Sequence, residues 1–106
     1  MKNFLFICSK NQWRSPTAEA ILRKNVLINV RSAGTSAKAR RCVSFKDIEW
    51  ADTIFVMEKK HKQRLQKKFT TLLDHKDIVI LDIPDDYQYM DEALIELLED
   101  CLAAYL

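Results

Sequence analysis

The residues best suited to chemistry lie near the start of the chain, where Cys8 is followed six positions later by Arg14 and then by Ser15. A cysteine thiolate is a strong nucleophile. An arginine guanidinium binds an oxyanion through two parallel charge-assisted hydrogen bonds, a geometry that lysine cannot offer. Because the Ser15 hydroxyl could donate to the sulfur, this pattern predicts covalent attack by Cys8 on a phosphorus atom held by Arg14.

The segment between Cys8 and Arg14 has the surroundings that this chemistry needs. Before it, Lys2 to Ile7 is short, apolar and typical of a buried strand. After it, Ser15-Pro16 has the pattern of a helix N-cap followed by proline at the first helical position. A loop that ends at a helix N-terminus presents free backbone N–H groups, which can surround a tetrahedral oxyanion. The predicted phosphate-binding residues are Ser9, Lys10, Asn11, Gln12, Trp13, Arg14 and Ser15.

A cysteine at the end of a strand also has a purely structural interpretation. Cysteine is among the most buried residue types, and most such cysteines belong to the core. A cysteine and an arginine six positions apart also occur by chance. The position of this pair between a predicted strand and a predicted helix favours the functional interpretation.

Four apolar runs predict strands that alternate with helices. The runs are Lys2–Ile7, Val26–Ala33, Thr53–Met57 and Asp77–Ile83, and a basic loop, Thr35–Val43, follows Gly34. The predicted helical segments are 15–25, 47–51, 58–69 and a last helix after its N-cap Asp91, with an apolar stripe of Leu94, Leu97, Leu98, Cys101, Leu102 and Tyr105.

This alternation predicts an α/β fold, with helices on both faces of a central four-stranded parallel sheet in a three-layer α/β/α arrangement. The length predicts a single domain over residues 1–106. Ligands of such folds bind beyond the carboxyl ends of the strands, so the loop after the first strand is the expected site.

The composition excludes several classes of protein. Hydrophobic residues make up 48% of the chain and charged residues 30%, which excludes intrinsic disorder. The apolar run Phe4–Ile7 is too short for a membrane span or the core of a secretory signal. Cys8, Cys42 and Cys101 form no CxxC pair, which excludes a disulfide scaffold and a four-cysteine zinc site. We therefore expect a reducing, cytoplasmic setting.

Charge is unevenly distributed along the chain. All 17 Lys and Arg residues lie in residues 1–76, whereas nine of the 15 acidic residues lie in 77–106. A basic half can bind an anionic partner, but two oppositely charged segments can equally neutralise each other within the fold. The basic segment 59–68 has no accompanying aromatic or groove-reading motif, so a solvated helix face is favoured over a nucleic-acid site.

Four stretches together resemble the low-molecular-weight protein tyrosine phosphatases, in particular short bacterial-type members. The first is the C-x5-R-S loop with the Pro-Thr-Ala-Glu-Ala that follows, residues 8–20. The others are RSAGT at 31–35, ADTIFVM at 51–57, and IPDDY at 83–87, which is similar to the family's P-D-P-Y loop. Their order along the chain is kept, so the resemblance covers most of the sequence.

The resemblance implies a cysteine-dependent phosphomonoester hydrolase, and in particular a protein tyrosine phosphatase. Its substrate would be a phosphorylated protein or a small aryl phosphate, with no metal or cofactor. Cys8 would form a phosphocysteine, Arg14 would bind phosphate, and Asp85 would act as general acid and then general base. Asp85 is preferred to Asp82 and Asp86 because it alone follows the proline, although an ordinary turn acid remains the alternative.

The resemblance also implies three supporting residues. Ser15 matches the hydroxyl that stabilises the thiolate. Asn11 matches a loop asparagine in a left-handed conformation, which asparagine tolerates. Ser32 matches the serine that is hydrogen-bonded to that asparagine.

The sequence also departs from the family pattern. The stretch after RSAGT is shortened, and alanines and the basic residues Lys38, Arg40 and Arg41 stand where an aromatic residue is common. Trp13 replaces what is often a second cysteine. Trp13, Tyr87 and Tyr89 could line the cleft and stack on a phosphorylated ring, or be partly buried at a loop edge.

Two other functions are compatible with these residues. One is a catalytically weak module that binds phosphate or a phosphoprotein. The other is an arsenate reductase, which needs a relay of further cysteines close together in sequence, whereas Cys42 and Cys101 are far apart. His61 and His75 are predicted to be helix-face and turn residues.

Overall fold

Four parallel strands form one sheet in the computed structural model, which describes residues 1–106. The strands are β1 (Lys2–Cys8), β2 (Ile28–Gly34), β3 (Thr53–Val56) and β4 (Asp77–Ile80). Their order across the sheet is β2-β1-β3-β4. Because β1 has a parallel neighbour on each side, its carboxyl end, Cys8, lies in the interior of one edge of the sheet.

Helices cover both faces of this sheet, as the sequence predicts. They are α1 (Arg14–Leu22), α2 (Phe45–Trp50), α3 (Lys59–Lys68) and α4 (Glu92–Leu102), followed by a 3-10 turn, Ala103–Tyr105. None of the helices has the length and apolar character needed to cross a bilayer.

Alternation along β1 divides the core into two layers. Phe4 and Phe6 pack with α1 and α4, whereas Leu5 and Ile7 pack with α2 and α3. In the first layer the rings of Phe6 and Phe55 stack at 5.0 Å between centroids. Each face of β1 is thus buried under a helical layer, which explains why the strand is apolar throughout.

The first helix begins one residue earlier than predicted. Trp13 occupies the N-cap position without a side-chain cap, and α1 starts at Arg14. The prediction that Ser15 caps the helix is therefore wrong. Its hydroxyl contacts Cys8 and Asn11 instead of a backbone N–H.

The second strand begins later than predicted, at Ile28. Val26 and Leu27 are 82% and 70% exposed and belong to the turn after α1. In that turn the N–H of Leu27 donates to Asn25 Oδ1 at 3.0 Å. The β-branched side chain of Val26 fits a strand, but the turn geometry overrides that propensity.

The end of β4 remains attached to β3 beyond its last regular residue. The N–H groups of Leu81 and Ile83 donate to Val56 and Met57 carbonyls at 2.9 and 2.8 Å. Between them Asp82 has a left-handed φ of 58°. The predicted strand to Ile83 is therefore interrupted, but the chain is held against the sheet as far as the 83–87 loop.

The end of the last helix also differs from prediction. The side chain of Asp91 caps α4 by accepting from the N–H of Ala93 at 2.8 Å, as predicted. Tyr105 lies in the 3-10 turn beyond the helix and is 36% exposed rather than fully in the core. Its ring packs edge-on against Phe55 at 5.1 Å.

A buried carboxylate attaches the basic loop to α2. Asp47 accepts from Arg41 Nη2 at 2.5 Å and completes a capping box with Ser44. Burial acts to raise the pKa of Asp47, but the hydrogen bond and charge of Arg41 outweigh it, so that the pKa is lowered. The helix begins at Phe45, two residues before the predicted start, because Ser44 is the cap.

We expect Asp47→Asn to lower the free energy of unfolding by about 2 kcal/mol at pH 7, because it removes a charge-assisted bond and weakens the cap. The folded pKa lies below the unfolded one. The contribution of Asp47 is therefore complete above its ordinary value of 3.8 and is lost as the pH falls below it. Urea unfolding of both proteins at pH 7 and pH 3 measures this. Glu49→Gln, an exposed neighbour in α2, is the matched control; an equal effect there would contradict the role of Asp47.

Candidate active site

The loop between β1 and α1 is shaped by hydrogen bonds to the segment that follows β2. Four consecutive carbonyls, of residues 8–11, accept from residues 35–40. Because a trans peptide places each C=O opposite the following N–H, the N–H groups of residues 9–12 face away from that segment. The donors are the backbone N–H groups of Thr35, Ser36 and Arg40, at 3.0, 2.9 and 2.9 Å, and Arg40 Nε, at 3.0 Å.

These backbone N–H groups are free to bind a ligand. None of the N–H groups from Ser9 to Trp13 donates to an acceptor within the chain. Cys8 stands at one end of this run and the N-terminus of α1 at the other. A ring of free N–H groups beside a helix N-terminus is an anion-binding arrangement, here aimed at a tetrahedral oxyanion.

Gly34 lets the two segments approach closely. A Cβ atom at this position would lie 2.5 Å from the carbonyl oxygen of Ser9 and 2.6 Å from Ala39 Cβ. No other residue type fits without moving backbone. The glycine is required for space, since its φ is not positive.

Asn11 reverses the direction of the loop. It has a left-handed φ of 55°, the conformation that the resemblance implies, and is fully buried. Its Nδ2 donates to the hydroxyls of Ser15 and Ser32, each at 2.9 Å.

The partners of Asn11 fix the direction of the hydroxyl protons. Ser15 accepts from Asn11, so its own proton is available to Cys8 Sγ, 2.9 Å away. Ser32 likewise accepts from Asn11 and donates to Glu19 Oε1 at 2.6 Å. A hydrogen bond from Ser15 favours the anionic form of the nucleophile.

Arg14 is buried and held in one orientation. Its Nη1 donates to Glu58 Oε1 at 2.5 Å and to the carbonyl of Ile83 at 2.8 Å. Burial acts to raise the pKa of Glu58, but the hydrogen bond and charge of Arg14 lower it on balance. Since Nη2 makes no contact within the chain, the Nε–Nη2 edge of the guanidinium is available to bind an oxyanion bidentately.

A buried histidine supports the other end of the loop. His61 is fully buried, and its Nδ1 accepts from the N–H of Glu58 at 3.0 Å. Its Nε2 must therefore carry the proton and donate to the Ser9 hydroxyl, 2.9 Å away. Burial, reinforced by the charge of Arg14, lowers the pKa of His61 to about 4, so the ring is neutral near pH 7.

A pocket of about 300 Å³ lies over the loop. It is lined by Cys8, Ser9, Lys10, Gln12, Trp13, Arg14 and Asp85. Asp85 is the one residue of the 83–87 loop in this lining, and its Oδ1 lies 3.6 Å from Arg14 Nε. Asp82 and Asp86 are exposed and lie outside it.

The three candidate aromatic residues are distributed differently. Trp13 lines the pocket and is 41% exposed. Tyr87 is half-buried and packs against the core layer of α1 and α4. Tyr89 lines a second cavity that adjoins the first.

Glu19, Glu58 and His61 are not among the site residues that the sequence predicts. Glu58 and His61 directly follow the third strand, at the same edge of the sheet as the phosphate loop, and that position was the available signal. Glu19 lies within the family-like stretch after the loop. No three His, Cys, Asp or Glu side chains are grouped closely enough to hold a metal ion.

Comparisons with known proteins agree with this geometry. Residues 3–49 match a family model described as low molecular weight phosphotyrosine protein phosphatase. No curated protein matches the chain in sequence. Over the matched residues, the resemblance that the sequence indicates is therefore confirmed.

Solved structures extend the likeness to almost the whole chain. A low-molecular-weight protein tyrosine phosphatase from Streptococcus pyogenes gives a TM-score of 0.79 at 17% identity, with 100% of this chain and 94% of that chain covered. Wzb from Vibrio vulnificus, in complex with benzylphosphonate, gives 0.77 at 22% identity, with 98% and 96% covered. The YwlE arginine phosphatase from Geobacillus stearothermophilus gives 0.74 at 21% identity, with 97% and 87% covered. These similarities establish the fold.

Proposed function

Because the chain has the fold of the low-molecular-weight protein tyrosine phosphatases and matches their family model over residues 3–49, we propose that it is a cysteine-dependent phosphatase. One observation carries this proposal above the others. The Cys8 thiol, the free backbone N–H groups and the open edge of Arg14 surround a single pocket that Asp85 also lines.

The proposed reaction has two steps. The Cys8 thiolate attacks phosphorus, the bond to the leaving oxygen breaks, and Asp85 transfers a proton to that oxygen. Water then attacks the phosphocysteine, Asp85 takes a proton from the water, and the Cys8 thiolate leaves. Arg14 and the loop N–H groups stabilise the equatorial oxygens in both steps. A YwlE structure with a phosphorylated serine in its active site is consistent with attack from this position in the fold.

We propose a phosphorylated aromatic ring, as in phosphotyrosine, as the first substrate to test. The exposed face of Trp13 beside the phosphate loop supports stacking on such a ring. A phosphoarginine side chain is the second candidate. Five of the seven pocket residues are polar or charged, and the Asp85 carboxylate could accept hydrogen bonds from a guanidinium.

The two alternatives from the sequence have less support. Cys42 is exposed in the loop after β2, and Cys101 lies on α4 in the layer on one face of the sheet. Burial, with the nearby charge of Asp100, raises the pKa of the Cys101 thiol. A raised thiol pKa disfavours the thiolate that an arsenate reductase relay requires. A binding module without turnover is an outcome of the experiment below.

The proposal is tested with three substrates at equal concentration: p-nitrophenyl phosphate, a phosphotyrosine peptide and a phosphoarginine peptide. We expect turnover of at least the first two and competitive inhibition by vanadate. Turnover of phosphoarginine alone would replace the first candidate substrate with the second. Binding of vanadate without turnover of any substrate would identify a binding module and overturn the phosphatase.

We expect His61→Ala to lower kcat/KM on p-nitrophenyl phosphate about tenfold, because the Ser9 end of the loop loses its buried donor. Ser9→Ala should have a similar effect. The double variant should then be little worse than either single variant, since both remove the same bond. His61→Gln, which retains a donor, is the matched control. Additive losses in the double variant would show that His61 acts in some other way.

A further inference from the structure

A second cavity, of about 370 Å³, adjoins the catalytic pocket and has no role in the proposed reaction. The two share Gln12 and Trp13 as a common wall. Since these are consecutive residues, the cavities are separated by roughly 7 Å of chain. A ligand that occupies both would be one molecule with two recognised groups. The remaining residues that matter in the second cavity are Glu19, Arg23, Arg40 and Tyr89.

Arg40 is fixed in position but retains unused hydrogen-bond donors. Its backbone N–H donates to the Lys10 carbonyl at 2.9 Å and its Nε donates to the Asn11 carbonyl at 3.0 Å. Its two Nη groups donate to no acceptor and form no ion pair. The neighbouring Arg41 differs, because its Nη groups are engaged by Ser32 and Asp47.

The only carboxylate in the lining already has partners. Glu19 Oε1 accepts from Ser32 at 2.6 Å, and its Oε2 lies 3.9 Å from Arg23 Nη2. The two arginines and one glutamate leave an excess positive charge, and the unpaired group is the guanidinium of Arg40. A planar, fixed guanidinium with free donors binds carboxylate or phosphate bidentately.

We propose that the second cavity is an anion subsite in which Arg40 binds a second oxyanion of the substrate, close to the phosphoryl group held by the loop. This rests on the proposed function and adds a substrate class: a phosphorylated peptide with an acidic or second phosphorylated residue next to the reacting one. Trp13 and Tyr89, 41% and 54% exposed, flank the subsite and cover the peptide between the two anions.

The test uses three phosphotyrosine peptides that differ only at the adjacent residue: glutamine, glutamate or phosphoserine. We expect kcat/KM to be about tenfold higher for the anionic peptides than for the glutamine peptide, through KM. In Arg40→Gln this ratio should fall to about one. The ratio within each protein cancels any general effect of the substitution on the phosphate loop. A preference for phosphoserine alone would identify phosphate as the second anion, and an equal preference would identify any oxyanion.

Lys38→Gln is the matched control, because it removes the same charge from the same exposed loop but lies outside the cavity. Its peptide ratio should equal that of the wild type. Equal rates on all three peptides in the wild type, or an unchanged ratio in Arg40→Gln, would overturn the subsite and leave the phosphatase intact. The same peptides are also titrated into Cys8→Ser. Arg40-dependent preference in binding, without turnover by the wild type, would support the subsite and overturn the phosphatase.

Discussion

The Cys8→Ser variant is expected to lose about 10⁴-fold or more of the turnover of p-nitrophenyl phosphate. A serine hydroxyl is a much weaker acid than a thiol, and the hydrogen bond from Ser15 stabilises an anion that serine does not form near pH 7. Binding of inorganic phosphate should persist, because the loop N–H groups and Arg14 are unchanged. Initial rates and calorimetric phosphate titrations on the two proteins measure both quantities.

Cys42→Ser is the control for this experiment. Cys42 is exposed in the loop after β2 and lies outside the catalytic pocket, so its loss should change turnover less than twofold. Retention of turnover in Cys8→Ser would exclude the covalent mechanism. A loss in Cys42→Ser equal to that in Cys8→Ser would instead indicate a second essential thiol, as an arsenate reductase relay requires.

The Asp85→Asn variant is expected to lose roughly 10²-fold to 10³-fold in kcat on phenyl phosphate, whose leaving group needs a proton. The loss on p-nitrophenyl phosphate should be smaller, since p-nitrophenolate leaves more easily without protonation. This dependence on the leaving group separates proton transfer from a general disturbance of the pocket. Asparagine keeps the size of the side chain and a hydrogen-bonding oxygen near Arg14.

Asp86→Asn and Asp82→Asn are matched controls for the general acid. Both residues are exposed in the same loop and lie outside the pocket that Asp85 lines. Each should keep its kcat within about threefold of wild type. A larger loss in Asp86→Asn than in Asp85→Asn would transfer the role to Asp86 and would mean that the loop closes differently around substrate.

The order of strands and helices could be predicted from the sequence because each element carries its own local signal. Runs such as Phe4–Ile7 have no polar residue, which fits a strand buried on both faces. Position in the sheet then follows from the general rule that ligands bind at the carboxyl edge. Cys8 and Arg14 could be identified for the same reason, since the loop between them begins at a strand and ends at a helix.

Long-range hydrogen bonds account for what the sequence did not reveal. Ser15 and Pro16 have the local pattern of a helix start, yet Ser15 turns to a cysteine seven residues away and the helix begins before it. His61 has the spacing of a core-facing helix residue, and it is buried. Its contact with Ser9, 52 residues away, has no local signature.

The single glycine of the chain has a consequence for comparing related sequences. Cys8, Arg14 and Asp85 define a recognisable motif, but Gly34 is the point where the Ser9 carbonyl passes closest to β2. A relative with alanine at this position would retain every residue of the motif. Its added methyl group would displace the carbonyl, and with it the N–H groups on the opposite side of the loop. Such a gene would still score as a phosphatase in a motif search while encoding a protein that cannot hold phosphate.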